Sequence, residues 1–537
     1  MHNQLRPLDY IVFVFYLIMV AGYGYWIYQR KRNREANSAS FFLAEGSLTW
    51  WAIGASMIAS NISAEQFIGM SGSGFNIGLA IASYEWMAAA TLIIVAIFFM
   101  PIYLKYRIFT MPQFLQMRYN STVSTVMAVF WLLLYVIVNL TSILYLGALA
   151  VSTISGFNLV VCEIGLAVFG VIITLGGMKV IGFTDVIQVF FLTLGGLITT
   201  YLAVNLVSGN FSATGLWNGL TLMKTHALDH FHMILKKDNA HYMDLPGLAV
   251  LIGGLWIVNL NYWGCNQYIT QRALGANLPT ARSGILFAAF LKLLMPVIVV
   301  LPGIATYVLY QHGLFQTEMT TNGELNPDRA YPVLLNLLPA GLKGMAFAAL
   351  TAAVVASLAG KTNSISTIFT LDIYKKFIKP ESTERHLVAV GKIAVLASCV
   401  LAIAIIPFIG IDKKGGFQYI QEYTGFVSPG ILSIFLLGFF WKRTTSSAAI
   451  ASAILTFILS TVLKFAAPDL PFINRMGVVF LICVAVMVVI SLLDTSGRDE
   501  KSKGLDIQAS MFKVSPGFLV GTVLVLGIIT ALYTLFW

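Results

Sequence analysis

Long apolar runs alternate with short polar segments along almost the whole chain. Each run is roughly 18 to 28 residues long, which suits a helix that crosses the hydrocarbon core of a membrane, and there are about fourteen of them. The pattern therefore predicts an all-α polytopic membrane protein. The cores of the predicted spans are residues 9–28, 50–77, 80–104, 123–152, 159–178, 184–207, 247–269, 283–310, 344–373, 387–408, 418–440, 446–464, 474–493 and 515–536.

Composition and charge agree with a membrane protein. Hydrophobic residues make up 58% of the 537 residues and charged residues only 10%, with a mean hydropathy of +0.82. The net charge of +10 does not indicate a nucleic-acid partner, because the basic residues are spread over short loops between apolar runs. The four cysteines lie inside apolar runs without paired spacing, so neither a disulfide framework nor a zinc site is expected.

The second apolar run is interrupted by a polar, glycine-rich stretch that begins at Ala59 and extends to Met87 in the third. It carries five side chains that hydrocarbon alone cannot satisfy: Asn61, Ser63, Glu65, Gln66 and Glu85. Polar groups at membrane depth are tolerated where they are buried in protein or line a watery cavity. The stretch therefore predicts a binding site for a solute that is carried across the membrane.

A second polar interruption, Asn259 to Gly264, lies in the seventh apolar run. It is five spans from the first interruption, and the two spans run in opposite directions. Broken helices in this arrangement are typical of inverted-repeat transporters, which bind their substrate near the midplane. The sequence thus predicts an inverted-repeat (5+5) core with two broken helices and extra helices at both ends.

The loops predict the orientation. One alternate set of loops carries roughly twice as many lysines and arginines as the other, and basic loops stay in the cytoplasm. Both termini are therefore expected outside the cytoplasm, in a multi-pass protein of the cell (inner, plasma) membrane.

The longest loop predicted on the outside, 208–246, contains four histidines, His226, His230, His232 and His241. A metal site is the alternative to a solvated loop, and we favour the solvated loop because only His230 and His232 show a ligand spacing. The chain has no Ser/His/Asp order, metal-ligand string or complete phosphate-binding loop, so no enzymatic activity is predicted.

Several segments resemble the sodium/solute symporter family, in its sodium/glucose cotransporter branch. They are ASNISAEQFIGMSGSG, IGLAIASYEWM, VNLTSILYLG, TDVIQVFFL, GGLWIVNLNYWGCNQYITQR, FAAFLKLL, NSISTIFTLDIYK and FQYIQEYTGFVSPGIL. The resemblance covers nearly the whole chain and implies one transmembrane transporter domain over residues 1–537. A peripheral first helix (9–28), an inverted-repeat core (about 50–440) and peripheral C-terminal helices (about 446–536) would make up this domain.

The resemblance also implies a sugar site. Its residues would be Asn61, Gln66, Glu85, Asn259, Tyr262, Lys292 and Gln421, with Tyr262 stacking on the pyranose ring. A hexose offers hydroxyls that donate and accept hydrogen bonds and one apolar face, so amides, a carboxylate and an aromatic ring suit it. Glu85 and Lys292 are expected to neutralise each other, which still allows each to bind a hydroxyl. The family's serine is replaced by Ala88, which favours a shift in preference among hexoses.

Gates are implied at five positions around this site. They are Met70, Tyr84 and Phe417 on the outer side and Tyr262 with Trp263 below the sugar. An aromatic residue taken alone is more often a packing residue than a gate.

For sodium, the resemblance implies a site between the first broken helix and the ninth span. Its ligands would be carbonyl oxygens of Ala59, Ile62 and Ala353 and the hydroxyl of Ser357. Ala356 stands where a second hydroxyl is expected, so the site is one oxygen short of the set that a hard cation prefers.

Lys361 lies on the same helical face as Ala353 and Ser357, at spacings of four residues. Three interpretations are open: it snorkels to the cytoplasmic interface, it pairs with Asp185 on the implied ion exit path, or it occupies the cation site. The third would make transport independent of sodium.

The leading hypothesis is a secondary active symporter that imports a hexose, galactose or glucose, coupled to sodium by alternating access. Its partners are a small-molecule sugar, the sodium ion as coupling ion, and the lipid bilayer, with no enzymatic cofactor and no nucleic acid. One alternative is a sodium-independent carrier, proton-coupled or uncoupled, in which Lys361 replaces the cation. Another is a sugar-responsive membrane sensor.

Overall fold

The computed structural model describes residues 5–31, 48–108, 110–175, 178–209, 211–321, 323–408, 416–494 and 503–537. These residues form helices and one small antiparallel ribbon, β1 (Thr320–Thr321) with β2 (Glu324–Leu325). The first α-helices are α1 (Pro7–Lys31), α2 (Trp50–Asn61), α3 (Ser71–Ile77), α4 (Ser83–Ile94), α5 (Met100–Lys105), α6 (Met111–Arg118), α7 (Ser121–Leu133), α8 (Thr141–Ser155), α9 (Leu159–Thr174), α10 (Met178–Ser208), α11 (Ala213–His226) and α12 (Leu248–Ile252). The others are α13 (Gly254–Gly264), α14 (Gln267–Leu274), α15 (Leu278–Gln311), α16 (Ala330–Leu335), α17 (Leu342–Thr367), α18 (Glu384–Ile405), α19 (Gly416–Thr424), α20 (Ser428–Phe440), α21 (Ser446–Ala466), α22 (Phe472–Leu493) and α23 (Pro516–Leu535).

Shorter helical segments join several of these helices end to end. The π-helical ones are Glu65–Met70, Val95–Phe99, Leu134–Leu140 and Ile368–Ile378. The 3₁₀ segments are Leu79–Ala82, Leu228–Phe231, Pro327–Arg329, Ile406–Phe408 and Ala509–Phe512. Several long spans are therefore composites, such as Leu79–Lys105 and Ser121–Ser155.

Every predicted apolar run contains helix in the residues that the structure describes. Nine helices there are long and apolar enough to cross a membrane, or up to ten if α19 and α20, which meet at a 47° bend, form one span. The helical, polytopic membrane fold is confirmed. The count of fourteen spans stays a prediction.

Polar residues at the ends of the apolar runs start the helices. The side chains of Thr110, Asn120 and Asn158 accept backbone N–H groups at the starts of α6, α7 and α9. Asn277 and Thr445 do the same for α15 and α21. These caps satisfy amides that have no partner within the helix, so each span begins where the sequence changes from polar to apolar.

Helix α15 packs closely along both halves of the first broken span. A Cβ added at Gly54 of α2 would lie 2.5 Å from the Gly284 carbonyl oxygen, and one at Gly303 would lie 2.1 Å from the Ser71 carbonyl oxygen. Small residues at both places let the backbones approach, as is usual in membrane helix pairs. The stretch of α15 between these contacts, which includes Lys292, is therefore held opposite the break.

The second break lies elsewhere than the sequence predicts. The segment Asn259 to Gly264 is continuous helix, the end of α13, and the interruption follows it at Cys265 and Asn266. Cys265 N–H still donates to the Asn261 carbonyl oxygen at 2.9 Å, so the asparagines do not interrupt the backbone hydrogen bonds of the helix. Asparagine side chains mark the site here without breaking the helix.

The histidine-rich loop is more structured than a solvated loop. It contains α11, and the His230 ring stacks on Tyr307 at 4.0 Å while its Nε2 lies 3.0 Å from the Phe75 carbonyl oxygen. Partial burial lowers the pKa of the His230 imidazole. Among the described residues, no three His, Cys, Asp or Glu side chains are placed to hold a metal ion.

Three arginines in the set of loops predicted to be cytoplasmic are buried. Arg272 is 3% and Arg282 8% exposed, and Arg118 is fully buried. Arg118 donates to the carbonyl oxygens of Gly438 and Trp441 at 2.9 and 3.0 Å. Such arginines tie helix ends together, and the predicted orientation stays a prediction.

Candidate functional site

The break in the second span is built by four consecutive residues, Ser63 to Gln66. Helix α2 ends at Asn61, and Ile62 is extended. Ser63 Oγ accepts the N–H of Glu65, and the Gln66 side-chain oxygen accepts the N–H of Ser63, each at 3.2 Å. This reciprocal arrangement is a capping box, so the chain restarts its helix within one turn and without help from other segments.

Asn61, Glu85 and Lys292 meet at this break. Lys292 Nζ lies 2.5 Å from a carboxylate oxygen of Glu85 and also donates to the side-chain oxygen of Asn61. It lies 5.1 Å from the centre of the Trp263 ring. The three polar side chains are at most 6% exposed. A buried charge pair of this kind is stable only while both partners and their hydrogen bonds are present.

A polar cavity surrounds this group, and it brings all seven predicted sugar residues together. Its lining includes Asn61, Gln66, Glu85, Asn259, Tyr262, Lys292 and Gln421. The aromatic rings close over this cavity, which leaves about 50 Å³ of space for water-sized molecules in this structure. These residues come from four separate parts of the chain, so the cavity exists only in the folded protein.

Tyr262 links the two broken spans. Asn61 donates from Nδ2 to the Tyr262 hydroxyl at 3.0 Å, and the Tyr268 hydroxyl also bonds it. Tyr262 is at the end of α13 and Tyr268 at the start of α14, on either side of the second break. The two breaks therefore share one hydrogen-bond chain at the base of the cavity.

Four of the five predicted gate residues line the cavity. The Tyr84 and Phe417 rings meet edge to face with centroids 5.1 Å apart, and those of Tyr262 and Trp263 meet at 5.2 Å. Met70 does not line the cavity and is completely buried. Aromatic contacts thus cover the cavity on two sides in this structure.

The predicted ion ligands lie where α2 ends against α17. Ala59, Ile62, Ala353, Ala356 and Ser357 are all at most 2% exposed. Because α2 stops at Asn61, its last carbonyl groups have no following helical N–H to accept.

One of the predicted ion ligands, Ser357, makes a direct hydrogen bond between α17 and α2. Ser357 donates to the Ser60 carbonyl oxygen at 3.4 Å. Uncommitted carbonyl oxygens with a serine hydroxyl suit a small hard cation, and Ala356 leaves this set without a second hydroxyl.

Two interpretations of Lys361 are wrong. Its side chain is 1% exposed, so it does not snorkel to an interface. Asp185 is bound instead to Ser56 at 2.6 Å and to Arg272 at 3.7 Å. Lys361 Nζ lies 3.2 Å from a carboxylate oxygen of Glu65 and 5.2 Å from the centre of the Tyr268 ring.

Below the predicted ion ligands lies a second charged network. Arg272 donates to Ser60 Oγ at 2.5 Å, and Ser60 Oγ in turn donates to the Ser56 carbonyl oxygen at 2.8 Å. Arg272 and Asp185 are both about 1% exposed in their side chains. Asp185 is therefore part of a closed ionic contact beneath the end of α2.

Sequence reasoning missed several residues of the site. Glu65, Asn139 and Asn266 also line the cavity. The sequence shows Glu65 as a polar residue in the first break but does not indicate its role, and it places Arg272 in a loop. Asn266 follows the predicted break directly, and its side chain accepts a hydrogen bond from Tyr135. Polar residues next to a break are the signal that finds them.

Two interrupted spans enclose one buried polar cavity, and solved structures share this fold. The fold resembles a sodium-coupled sialic acid symporter in a substrate-bound outward-open state, with a TM-score of 0.77 at 21% identity over 91% of this chain and 98% of that one. A nucleobase-cation-symport-1 family transporter gives a TM-score of 0.52 at 15% identity over 87% and 98%. At these identities the likeness concerns the fold alone.

Sequence comparison gives the family. The model of the sodium:solute symporter family matches residues 41–456, and the chain belongs to this family. A sodium/glucose cotransporter of Vibrio parahaemolyticus is 48% identical over all of this chain and 99% of its own length. A sodium/myo-inositol cotransporter 2 of Mus musculus is 32% identical over 86% and 70%. The protein is therefore a multi-pass, sodium-coupled solute symporter of the membrane, and its relatives are transporters.

Proposed function

We propose that this symporter imports a hexose, glucose or galactose, together with sodium by alternating access. The main support is the cavity in which Glu85, Lys292 and Asn61 meet between amides and aromatic rings. A hexose hydroxyl can donate to Glu85 and accept from Lys292, and the Tyr262 ring can cover an apolar sugar face. The similarity to a sodium/glucose cotransporter supports the same substrate class.

Gln66 holds the solute through the free half of its amide. Its oxygen already accepts the Ser63 N–H, so its NH₂ group is the part that donates to a sugar hydroxyl. Asn259, whose Nδ2 donates to the Leu255 carbonyl oxygen at 3.1 Å, has its oxygen left to accept one. Gln421 adds a further amide from α19.

Sodium couples to the sugar through the first broken span. Carbonyl oxygens of Ala59, Ile62 and Ala353 with the Ser357 hydroxyl bind the ion and hold α2 against α17. The same few residues carry Asn61 and Gln66, so the ion and the sugar stabilise the same position of this span, and each raises the affinity for the other. Asp185, beneath this pocket, lies on the ion's exit path.

Alternating access then follows from the two aromatic contacts. Tyr84 with Phe417 forms the outer gate and Tyr262 with Trp263 the inner one, in an inverted-repeat core of two five-helix halves. Met70 belongs to the outer gate, and its neighbour Gly69 lies against Phe417, where an added Cβ would be 2.9 Å from the Phe417 backbone nitrogen. The termini lie outside the cytoplasm.

Uptake into proteoliposomes tests this function. With an inward sodium gradient, radiolabelled glucose or galactose accumulates above its outside concentration, which a sugar-responsive sensor would not achieve. Potassium in place of sodium, and myo-inositol or sialic acid in place of hexose, serve as the comparisons. Equal uptake without sodium, or preference for a non-hexose solute, contradicts the proposal.

Substitutions at Gln66 separate binding from folding. Gln66→Glu keeps an oxygen for the Ser63 N–H but loses the NH₂ donors, whereas Gln66→Ala loses both. We expect both variants to lose uptake and only Gln66→Ala to lower the thermal unfolding midpoint. Normal uptake by Gln66→Glu would remove Gln66 from the sugar site.

A further inference from the structure

A second polar cavity adjoins the first, and nothing in the proposed function uses it. It leaves about 290 Å³ of space for water-sized molecules, compared with about 50 Å³ in the first cavity. Its polar lining includes Ser73, Asn76, Asp244, Gln418 and Glu422, with Phe472 as an aromatic wall. Cavities of this size and lining are typical of sites for small polar ligands.

Helix α19 separates the two cavities. Phe417 and Gln421, four residues apart, line the first cavity, whereas Gln418 and Glu422, also four apart, line the second. Side chains at this spacing lie on one helical face, so one short helix presents a polar face to each side. Gln418 directly follows Phe417, which makes the aromatic contact with Tyr84. The second cavity thus begins where that contact closes the first.

Gln418 is the strongest sign of a ligand. The residue is 8% exposed, yet neither its amide oxygen nor its amide nitrogen has a hydrogen-bond partner within the described part of the chain. Buried polar atoms of this kind are unfavourable unless a ligand or an ordered water bonds them. A ligand with neighbouring hydroxyls satisfies both atoms, since a hydroxyl donates to the oxygen and accepts from the nitrogen.

The charges around this cavity favour a neutral ligand. Glu422 is bound by Lys464 at 2.9 Å and by Arg475 at 3.3 Å, and Asp244 lies 3.3 Å from the His241 ring. Carboxylates with basic partners do not attract a free cation strongly, and the partnered cations do not select an anion. Amide, hydroxyl and aromatic groups together match a neutral polyhydroxylated ring.

We propose that this cavity is a second sugar subsite on the outer side of the contact between Tyr84 and Phe417. A hexose binds there to Gln418 before it passes into the deeper site. The proposal rests on the proposed function, because the ligand is the transported sugar. Since α19 carries ligands on both faces, the sugar leaves one face of this helix and arrives at the other.

Protection of an introduced thiol tests the subsite. Asn76 is exposed and lines the second cavity, whereas Cys162, Cys265, Cys399 and Cys483 are buried and give little background. Asn76→Cys is combined with Lys292→Ala, which disables the deeper site, and labelled with a maleimide in sodium buffer. We expect saturating glucose or galactose to slow labelling several-fold, and an equal concentration of glycine betaine to leave it unchanged. Thr225→Cys, on an exposed part of α11, is the matched control and should show no protection.

Adding Gln418→Ala to this variant should abolish the protection. Gln418→Glu keeps an acceptor oxygen but loses the NH₂ donors, so we expect glucose or galactose to protect the thiol only in part. Partial protection also shows that the protein still folds with a substitution at this position. If the unmodified transporter takes up hexose but the hexose never slows labelling, the subsite is wrong and the proposed function stands. Absence of both uptake and protection refutes the proposed function and the subsite with it. Protection that survives Gln418→Ala also overturns the assignment.

Discussion

Two buried lysine–glutamate pairs lie on either side of the second break. Lys292 pairs with Glu85 at 2.5 Å and lies 5.1 Å from the Trp263 ring, just before the break. Lys361 pairs with Glu65 at 3.2 Å and lies 5.2 Å from the Tyr268 ring, just after it. Each lysine thus has one carboxylate and one aromatic face as neighbours.

The pairs differ in their access to a solute. Glu85 and Lys292 both line the polar cavity, whereas of the second pair only Glu65 does. The first pair can exchange contacts with a sugar, and the second has its cation sealed behind the broken helix. A buried charge pair is therefore available to a solute where both charges face a cavity, whereas it can only hold helices together where one charge is enclosed.

The largest effect is expected for the pair that faces the solute. Lys292→Ala should reduce sodium-driven hexose uptake by more than about 100-fold, because removing one partner leaves Glu85 unpaired, at a cost of about 3–5 kcal/mol, and also removes a donor to the sugar. Proteoliposome uptake, normalised to monodisperse protein, measures this. The double variant Glu85→Gln/Lys292→Met should recover stability without uptake. Near-normal uptake by Lys292→Ala would contradict the idea that this pair, unlike the pair of Lys361 and Glu65, contacts the solute.

The enclosed pair is expected to act mainly on stability. Lys361→Met should lower the free energy of unfolding by about 3–5 kcal/mol because Glu65 loses its counter-charge. Adding Glu65→Gln should restore most of this loss, and the single variant should keep measurable hexose uptake. Thermal unfolding in detergent, with uptake in parallel, checks both. Loss of uptake with an unchanged unfolding midpoint would mean that Lys361 belongs to the transport machinery.

A smaller effect is expected next to the enclosed pair. Ala356→Ser adds the hydroxyl that the ion pocket lacks, and a contact to a charged species contributes about 1.5–3 kcal/mol, so half-maximal uptake should need roughly tenfold less sodium. Ala352→Ser, one turn earlier in a cluster with Tyr16 and Val20, is the control and should not change this concentration. An unchanged sodium requirement in Ala356→Ser would place the ion elsewhere.

The smallest effect is expected beside the pair of Glu85 and Lys292, which lines the cavity. Ala88 lines the cavity one turn from Glu85, and Ala88→Ser adds one neutral hydroxyl there. We expect the ratio of galactose to glucose uptake to change a few-fold, corresponding to about 0.5–1.5 kcal/mol. Competition between the two labelled sugars gives this ratio directly. No change would show that this wall of the cavity does not discriminate between hexoses.

The sequence predicted the helices and the cavity residues better than the charges. Apolar length determines where a span can form, and a polar side chain in such a span needs a protein cavity, which is why Asn61 and Glu85 could be found. The partner of Lys361 depends on how far two helices are rotated about their axes. Residue spacing does not give that angle, so the sequence leaves three interpretations of Lys361 open and none of them names Glu65.

Break positions show the same limit. Ser63 and Gln66 form a local cap, and a cap of this kind can be predicted from four consecutive residues of the sequence. The second break has no such cap, and its position after Gly264 follows from tertiary contacts. Tyr103 donates to the Gly264 carbonyl oxygen at 2.6 Å, and Gly264 leaves room for the Phe99 ring. Both partners come from a distant part of the chain.

The capping box also has a consequence for affinity. A solute that had to unwind a helix in order to bind would lose part of its binding free energy to that rearrangement. Here the unwound turn is already stable before any ligand arrives, because Ser63 and Gln66 satisfy the freed amides themselves. The site is preorganised on this side, and the ordering that accompanies transport is left to α19 and the aromatic gates.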